Sequence, residues 1–288
     1  ILPHEISESP RAGRKVVVIG GGPAGLEAAR VSAERGHKVV LLEAARELGG
    51  QLLMAQHASW RRDVIGIVHW RRSELERLGV EVHLNTYAER EDVVALSPDV
   101  VIIATGGTPD IEWIKGAEHV TSAWDIITGT VPLVNDVVVY DGTGRHPGSQ
   151  VMELAARDGR HVNFYSIDNQ LAQELTYAER IIWKKHAYEL GAPMFFDHQL
   201  DRVERRGNRL HVTFRNLATG KTVERVTDQL IVDHGTMPAD ALYHDLRIDA
   251  SNAGVTDIDA LLALQEQPLT INPEGSFELH RVGDAVAS

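Results

Sequence analysis

The chain has 288 residues, 43% of them hydrophobic and 24% charged, which is typical of a globular protein of one or two domains. Its net charge of −12 argues against non-specific binding to nucleic acid or to an anionic membrane. Cysteine is absent, which excludes disulfides, CxxC redox pairs and cysteine-ligated zinc or iron–sulfur centres within this chain. No apolar run approaches the ~20 residues of a membrane helix and no signal peptide is apparent, so we expect a cytoplasmic location and no membrane partner.

The ends of the sequence predict a piece of a longer protein. The chain begins at Ile1 rather than at Met, and it stops at Ser288 soon after a predicted strand and tight turn. A helix is expected to follow such a turn.

The first predicted element is the buried strand 15–19, followed by a glycine-rich turn and a helix. Gly20, Gly22 and Gly25 form G-x-G-x-x-G, in which the glycines permit a tight turn, close approach of a pyrophosphate and close packing of helix on strand. The free N–H groups at the helix N-terminus favour phosphates. This arrangement predicts a dinucleotide site.

A second apolar strand, 37–43, ends on Glu43, followed by Ala44. Glu43 lies 18 positions after Gly25, close to the spacing of about 20 at which an acidic side chain accepts hydrogen bonds from the adenosine ribose. An acid at this position disfavours the 2′-phosphate of NADP. A glycine-rich turn without a ligand is the alternative interpretation, and the complete strand–turn–helix–strand–acid pattern makes it the weaker one.

Three further turns are candidates for contact with the same ligand. Each follows an apolar strand or places small residues where a backbone can approach a bound nucleotide. The residues concerned are Gly50 and Gln51, then Ala104, Thr105 and Gly106, and finally Gly283 and Asp284, whose carboxylate can accept from a sugar or ribityl hydroxyl.

A second nucleotide-binding unit is predicted from strand 136–142 onward. Gly142, Gly144 and Gly148 give G-x-G-x-x-x-G, one residue longer than the usual fingerprint, and a helix (149–159) and a strand follow. The ribose-binding acid is absent or displaced, because Ser166 occupies its position and Asp168 comes two residues later. NAD(P)H binding and a nucleotide fold without a ligand therefore remain open for this unit.

The chain between this unit and its C-terminus predicts a helix, an antiparallel region and a further strand. The helix spans 176–192, with Trp183 expected in the core, and the antiparallel region spans 200–232. Strand 229–238 carries His234, which we interpret as a structural strand-end histidine rather than a catalytic one.

The combination GGGPAG, Glu43, GGQ, ATGG and GDA resembles the flavoproteins with two dinucleotide-binding domains. The resemblance implies an α/β fold of two Rossmann-like three-layer βαβ nucleotide-binding domains, the second inserted in the first. We expect an FAD- or ADP-binding domain at 1–130 and 268–288, and an NAD(P)-binding-like domain with an antiparallel meander at 131–267. The resemblance also supports Pro23 and Ala24 as cofactor-binding residues.

Within these flavoproteins, the missing cysteines exclude the disulfide-reductase and thioredoxin-reductase mechanisms. The chain resembles the C-terminal half of the trimethylamine dehydrogenase and 2,4-dienoyl-CoA reductase (NADH:flavin oxidoreductase) family. Segments 58–86, 122–129 and 233–240 look most like the dimethylglycine and N-methylproline demethylases. In that family an N-terminal TIM barrel carries FMN and a cysteine cluster binds a 4Fe–4S centre. Neither lies in this chain, so its catalytic residues are unknown.

The resemblance leaves the role of this half open. The reductase branch holds FAD and takes hydride from NADPH at the second domain, whereas the amine dehydrogenase branch keeps ADP. This half therefore either relays electrons to or from the FMN part as a demethylase or dehydrogenase, or serves as a non-redox ADP-binding and docking module, or is the NAD(P)H-dependent half of an enoyl reductase. An electron-transfer protein is a further expected partner, and no metal site is expected.

Overall fold

A computed structural model describes residues 6–286, so the chain ends that predict a truncation, Ile1 and Ser288, lie outside the described residues. The chain divides into two compact units. The first comprises the chain up to Thr108 and from Met237 onward, and the second is Pro109–Thr236.

The strands, in chain order, are β1 Lys15–Ile19, β2 Lys38–Leu42, β3 Glu81–His83, β4 Val100–Ile103, β5 Gly107–Pro109, β6 Val120–Ser122, β7 Asp136–Asp141, β8 His161–Ser166, β9 Met194–Phe195, β10 His198–Arg206, β11 Arg209–Asn216, β12 Thr222–Thr227, β13 Gln229–Asp233, β14 Thr236–Pro238 and β15 Glu278–Arg281. The α-helices are α1 Pro23–Glu34, α2 Leu52–Ala55, α3 Gly66–Arg77, α4 Arg90–Ala95, α5 Ala123–Ile127, α6 His146–Arg157, α7 Tyr177–Glu189, α8 Ala241–Leu246 and α9 Ile258–Leu262.

The first unit is built on a parallel sheet in the order β15-β4-β1-β2-β3. Its central strands are apolar on both faces: Val17 and Ile19 belong to one core cluster, and Val16 and Val18 belong to another that includes α1. A strand buried on both sides reads as a continuous apolar run, which is why the sequence predicts this sheet well. Strand order reverses at β1, so the carboxyl end of β1 is the topological switch point where α/β sheets bind ligands.

The second unit has its own parallel sheet, in the order β6-β13-β7-β8-β9. The antiparallel sheet β10-β11-β12 shares a core cluster with this parallel sheet. Phe214 of β11 stacks on Tyr165 of β8, with ring centroids 4.1 Å apart. The predicted α/β class, with two Rossmann-like units and the second inserted in the first, is confirmed.

The two units divide the chain at 108/109 and 236/237, whereas the expected boundaries are 130/131 and 267/268. Residues 109–130 fall in the second unit because β6 pairs in parallel with β13. Residues 237–267 fall in the first unit, where Ala250 bridges to Phe277 just before β15.

Three local expectations need correction. Strand 229–238 is interrupted, because β13 ends at Asp233, Gly235 adopts a φ of +86°, and β14 then begins at Thr236. The antiparallel region also ends earlier than 232, since β13 pairs in parallel with β7. The helix expected from 149 begins at His146, with Pro147 in its first turn, where its missing N–H costs no hydrogen bond. Trp183 is fully buried, as expected of a core residue.

Candidate nucleotide-binding site

The predicted site residues of the first unit follow the carboxyl ends of four strands of one parallel sheet. Gly20 to Gly25 follow β1, Glu43 follows β2, Ala104 to Gly106 follow β4, and Gly283 and Asp284 follow β15. Because parallel strands present their carboxyl ends at one edge, these turns lie together at the switch point around β1.

The first glycine turn is packed so closely that two of its glycines have no room for a side chain. A Cβ on Gly20 would overlap the carbonyl of Ala104, and Gly20 also has a φ of +106°. A Cβ on Gly25 would overlap the carbonyl oxygen of Gly20. Helix α1 therefore sits directly against the end of β1, as the third glycine of the fingerprint requires.

Gly22 and Gly50 bring two backbones face to face. The nearest atom to a Cβ built on Gly22 is Gly50 Cα at 4.0 Å, and Gly50 has a φ of +53°. Gly22 is also the N-cap of the 12-residue helix α1, and it has no side chain that could occupy the N–H groups of the first turn. These groups, with Pro23 at the helix start, form a site suited to a phosphate.

Glu43 is held in place by backbone donors on both of its oxygens. Oε2 accepts from the N–H of Gly21, and Oε1 accepts from the N–H of Ala45 at 2.6 Å. A carboxylate oxygen has two lone pairs, so each oxygen can accept one more hydrogen bond. The fixed carboxylate can therefore receive ribose hydroxyls beside the phosphate position. Ala44, which lies between Glu43 and Ala45 in the chain, is exposed.

The glycine–aspartate turn after β15 packs on the start of α1. A Cβ on Gly283, whose φ is +64°, would lie 2.7 Å from the Cβ of Ala24. Gln51 Nε2 donates to Asp284 Oδ2 at 2.8 Å. The motif that contains Gln51 and the motif at 283–284, which are far apart in the sequence, thus form one wall of the candidate site.

The side chain of Thr105 has a hydrogen-bond partner within the first unit. Its hydroxyl donates to the carbonyl of Ala239 at 2.6 Å, and the N–H of Ala239 donates to the carbonyl of Gly106 at 2.9 Å. The ATGG turn therefore anchors the segment that leads into α8. Sequence reasoning missed Ala239 because a backbone partner carries no residue signature.

Arg281, at the end of β15, is a second residue that sequence reasoning missed. It donates to Asp240 and lies over the ring of Tyr243, 4.0 Å from the centroid. No motif distinguishes this arginine from the exposed ones.

The glycine turn of the second unit is filled by side chains of the same unit. A Cβ on Gly142 would overlap the ring of His234, and a Cβ on Gly144 would overlap Asp168 Oδ2. A Cβ on Gly148 would lie 2.8 Å from Asp141 Cβ. The space that these glycines leave is used for internal packing.

The N–H donors of this second turn are also engaged. Asp141 Oδ1 accepts from the N–H groups of Thr143 and Gly144 at 3.0 and 2.9 Å, and Asp233 Oδ2 accepts from that of Gly148 at 3.2 Å. Burial, and then the charge of Asp233, raise the pKa of Asp141 to about 7. Burial likewise raises the pKa of Asp233 above its ordinary range. Two buried carboxyls thus occupy the donors that a pyrophosphate would use.

His234 packs against other side chains of the second unit. Its Nδ1 lies 3.1 Å from Asp110 Oδ2, and its ring lies 4.4 Å from the ring of Trp113. The contact with Asp110 fixes the orientation of the imidazole against Gly142.

Comparison with known proteins identifies the family. Residues 14–267 match the family model described as pyridine nucleotide-disulphide oxidoreductase. The chain belongs to this family. Members of the family bind flavin and pyridine nucleotides, and the nucleotide-binding assignment is established at that level.

Among curated proteins, the chain is 42% identical over 288 residues to the protein of Rhizobium meliloti (strain 1021) named "Probable N-methylproline demethylase", covering all of this chain and 42% of that relative. It is 39% identical over 298 residues to N,N-dimethylglycine/sarcosine dehydrogenase of Chromohalobacter salexigens, covering 99% of this chain and 43% of the relative. The resemblance predicted from the motifs is confirmed.

Among solved structures, 2-naphthoyl-CoA reductase shares 25% identity with a TM-score of 0.78, covering 99% of this chain and 38% of that one. The chain therefore spans less than half the length of the relatives it matches.

Within residues 6–286 no three His, Asp or Glu side chains are grouped so that they could hold a metal ion. No helix in the same range is long and apolar enough to cross a bilayer.

Proposed function

We propose that this chain is the nucleotide-binding half of a flavin-dependent oxidoreductase that demethylates or dehydrogenates N-methylated amines. Its first unit binds an adenosine 5′-diphosphate group, either as part of FAD or as ADP. The observation that carries the proposal is the fixed Glu43 carboxylate beside the N-terminus of α1, at the switch point of a parallel sheet.

The residues present fit this group. The N–H groups at the start of α1 would bind the pyrophosphate, the close pair Gly22 and Gly50 would let it reach the backbone, and Glu43 would accept from the ribose hydroxyls. Asp284 would receive a hydroxyl of a longer ligand, held by Gln51. FAD, when bound, would supply a carrier for electrons.

The amine substrate and the remaining cofactors belong to a part of the protein outside this chain. Relatives named for N-methylproline and dimethylglycine are more than twice as long as their matched region. We propose that this additional part is an FMN-binding TIM barrel with a 4Fe–4S centre, and that an electron-transfer protein is a further partner. The chain has no cysteine with which to bind such a cluster itself.

The second unit, on this proposal, does not bind NAD(P)H. His234 and Asp168 fill the space beside the glycines, and Asp141 and Asp233 occupy the N–H donors. Their carboxyl groups also oppose an approaching pyrophosphate.

The visible spectrum and the nucleotide released on denaturation test the proposal. Flavin absorbance with released FAD, or a colourless protein that releases ADP, supports the first unit's assignment and distinguishes the two forms. A protein that holds neither nucleotide, and binds neither one added in excess, overturns it.

A reductase half is the alternative, favoured by the similarity to 2-naphthoyl-CoA reductase. It requires NAD(P)H at the second unit. Tight NADH binding by calorimetry that is lost in Gly144→Leu would support this alternative against the proposal of an empty second unit.

A further inference from the structure

One hydroxyl group in the second unit lies between two buried carboxyl groups. Thr143 Oγ1 is 3.1 Å from Asp141 Oδ1 and 2.9 Å from Asp233 Oδ2. Asp141 is fully buried and Asp233 is 5% exposed. They end the adjacent strands β7 and β13, where the parallel register pairs them directly.

The Thr143 hydroxyl cannot form hydrogen bonds to both aspartates if both are ionised. Thr143 has a single hydroxyl hydrogen, and its oxygen also accepts from the N–H of Arg145 at 3.2 Å. The hydroxyl can donate to one carboxyl only. The other contact becomes a hydrogen bond only if that carboxyl is protonated and donates to Oγ1. In addition, Asp141 Oδ2 is buried with no hydrogen-bond partner among the described residues, which is costly for a charged oxygen.

We propose that Asp141 and Asp233 hold one proton between them through the hydroxyl of Thr143, and that this proton keeps the second glycine turn closed. The proposal does not depend on the amine-oxidising function proposed above. With the proton present, one negative charge and one neutral acid are bridged by the hydroxyl. Without it, the two buried negative charges share the single hydroxyl hydrogen of Thr143, and like charges on either side of one hydroxyl repel strongly.

Loss of the proton affects the backbone of the second glycine turn, because the same two carboxyl groups accept hydrogen bonds from its N–H groups. The N–H groups of Thr143 and Gly144 donate to Asp141, and that of Gly148 donates to Asp233. Moving either carboxyl toward water releases these N–H groups. The turn therefore loosens as the pH rises.

The charged groups around the pair act in both directions. Asp168 lies over Gly144 from the loop after β8, and burial and then Glu174 raise its own pKa. When Asp168 is ionised, its charge disfavours a second negative charge on the pair. His234 beside Asp233 lowers the pKa of Asp233 when it is protonated. Tyr140, before Asp141 in β7, has its pKa raised to about 12 by burial and is neutral. The remaining nearby groups at the start of α6 are Arg145, which is exposed, and His146, which contacts Trp183 and Glu179.

The direction of the pH dependence follows from proton linkage. The closed turn keeps its proton up to about pH 7, whereas an exposed aspartate releases it near its ordinary pKa of about 4. Within this window opening releases a proton, so the opening constant rises about tenfold per pH unit. Above the window both forms are deprotonated and the opening constant levels off.

Amide hydrogen exchange of the purified chain tests this directly. After division by the intrinsic exchange rates, the protection of the Thr143, Gly144 and Gly148 amides is expected to fall about tenfold per unit toward pH 7 and then level off. Asp141→Asn is expected to remove most of this slope. Thr143→Val is expected to move the plateau to lower pH, since it removes the acceptor of the hydrogen bond that only the protonated carboxyl makes, while Thr143→Ser keeps the profile. Asp158→Asn, which changes an exposed carboxyl paired with Arg160, is the control and keeps the wild-type slope.

Protection that is independent of pH, or an unchanged slope in Asp141→Asn, would overturn the proposal. If Asp141→Asn does not fold, infrared spectroscopy of the wild type still decides. A carbonyl band of a protonated, exchange-protected carboxyl at neutral pH that disappears at alkaline pH supports the shared proton, and the absence of such a band at neutral pH refutes it.

Discussion

Gln51 donates a hydrogen bond to Asp284 although the two residues are 233 positions apart in the chain. The bond joins the turn that follows β2 and Glu43 to the turn that follows β15. The turn after β15 packs against the start of α1. The amide of Gln51 therefore fixes the orientation of the Asp284 carboxyl group.

Gln51→Glu is therefore expected to weaken nucleotide binding. The change replaces the donor by a second carboxylate at hydrogen-bond distance from Asp284, and the repulsion displaces the turn after β15. We expect a loss of about tenfold in affinity for FAD, corresponding to one charged hydrogen bond. Calorimetric titration of the nucleotide-free protein measures it. Gln56→Glu, just past α2, is the matched control and should bind as the wild type does.

Glu43→Gln is expected to reduce the affinity for ADP by about 10- to 100-fold, because the amide cannot accept from both the N–H of Ala45 and that of Gly21. The preference against adenosine 2′-phosphate derivatives should fall at the same time, since the charge that repels them is removed. Competitive titration with ADP and its 2′-phosphorylated form measures both effects. Glu47→Gln, which changes an exposed carboxyl nearby, should leave both affinities unchanged; an unaltered ratio in Glu43→Gln would contradict the assignment.

Gly25→Ala is expected to destabilise the first unit by about 1–3 kcal/mol, because the added methyl group overlaps the carbonyl oxygen of Gly20. The urea midpoint reports this loss. Gly66→Ala is the control, since a Cβ at Gly66 has no neighbour within 4 Å and the residue opens α3. It should be neutral or slightly stabilising.

Glu278 gives a prediction about acid stability. Hydrogen bonding to His280, and then to Arg14, lowers the pKa of Glu278 to about 2. A folded-state pKa below the unfolded one contributes stability above pH 4.5, and this contribution is lost as the pH falls toward 2. Glu278→Gln should therefore be less stable than the wild type at pH 7, by about 1–2 kcal/mol after allowance for solvent screening, and nearly equal to it near the folded-state pKa.

Urea denaturation at several pH values tests this prediction. Glu266→Gln removes an exposed carboxyl that also contacts Arg11, and it is the control for loss of a surface charge. A stability difference between wild type and Glu278→Gln that stays constant down to pH 3 would show that the effect is not electrostatic.

The local features of the first site could be predicted from sequence because they are short-range. Gly20, Gly25 and Glu43 belong to one βαβ segment. In such a segment the fold fixes the number of residues between the glycines and the acid at the end of the second strand. The contact of Gln51 with Asp284 could not be predicted, although both residues are part of motifs, because it depends on how β15 enters the sheet.

The second unit shows the limits of pattern reasoning more clearly. The sequence draws attention to Gly142, Gly144 and Gly148, whereas the structure places two acids, Asp141 and Asp233, on their N–H donors. These acids are adjacent only because β7 and β13 pair, and a strand predicted to continue to residue 238 conceals that β13 ends at Asp233.

The insertion of one unit into the other affects the order in which the two units can fold during synthesis. Pro109–Thr236 is continuous, so a ribosome delivers every strand of its sheet in a single run. The sheet of the first unit lacks β15, Gly283 and Asp284 until synthesis has passed residue 284. Since domains generally fold as units during translation, the inserted unit can be native while the nascent first unit still has an open edge at β4.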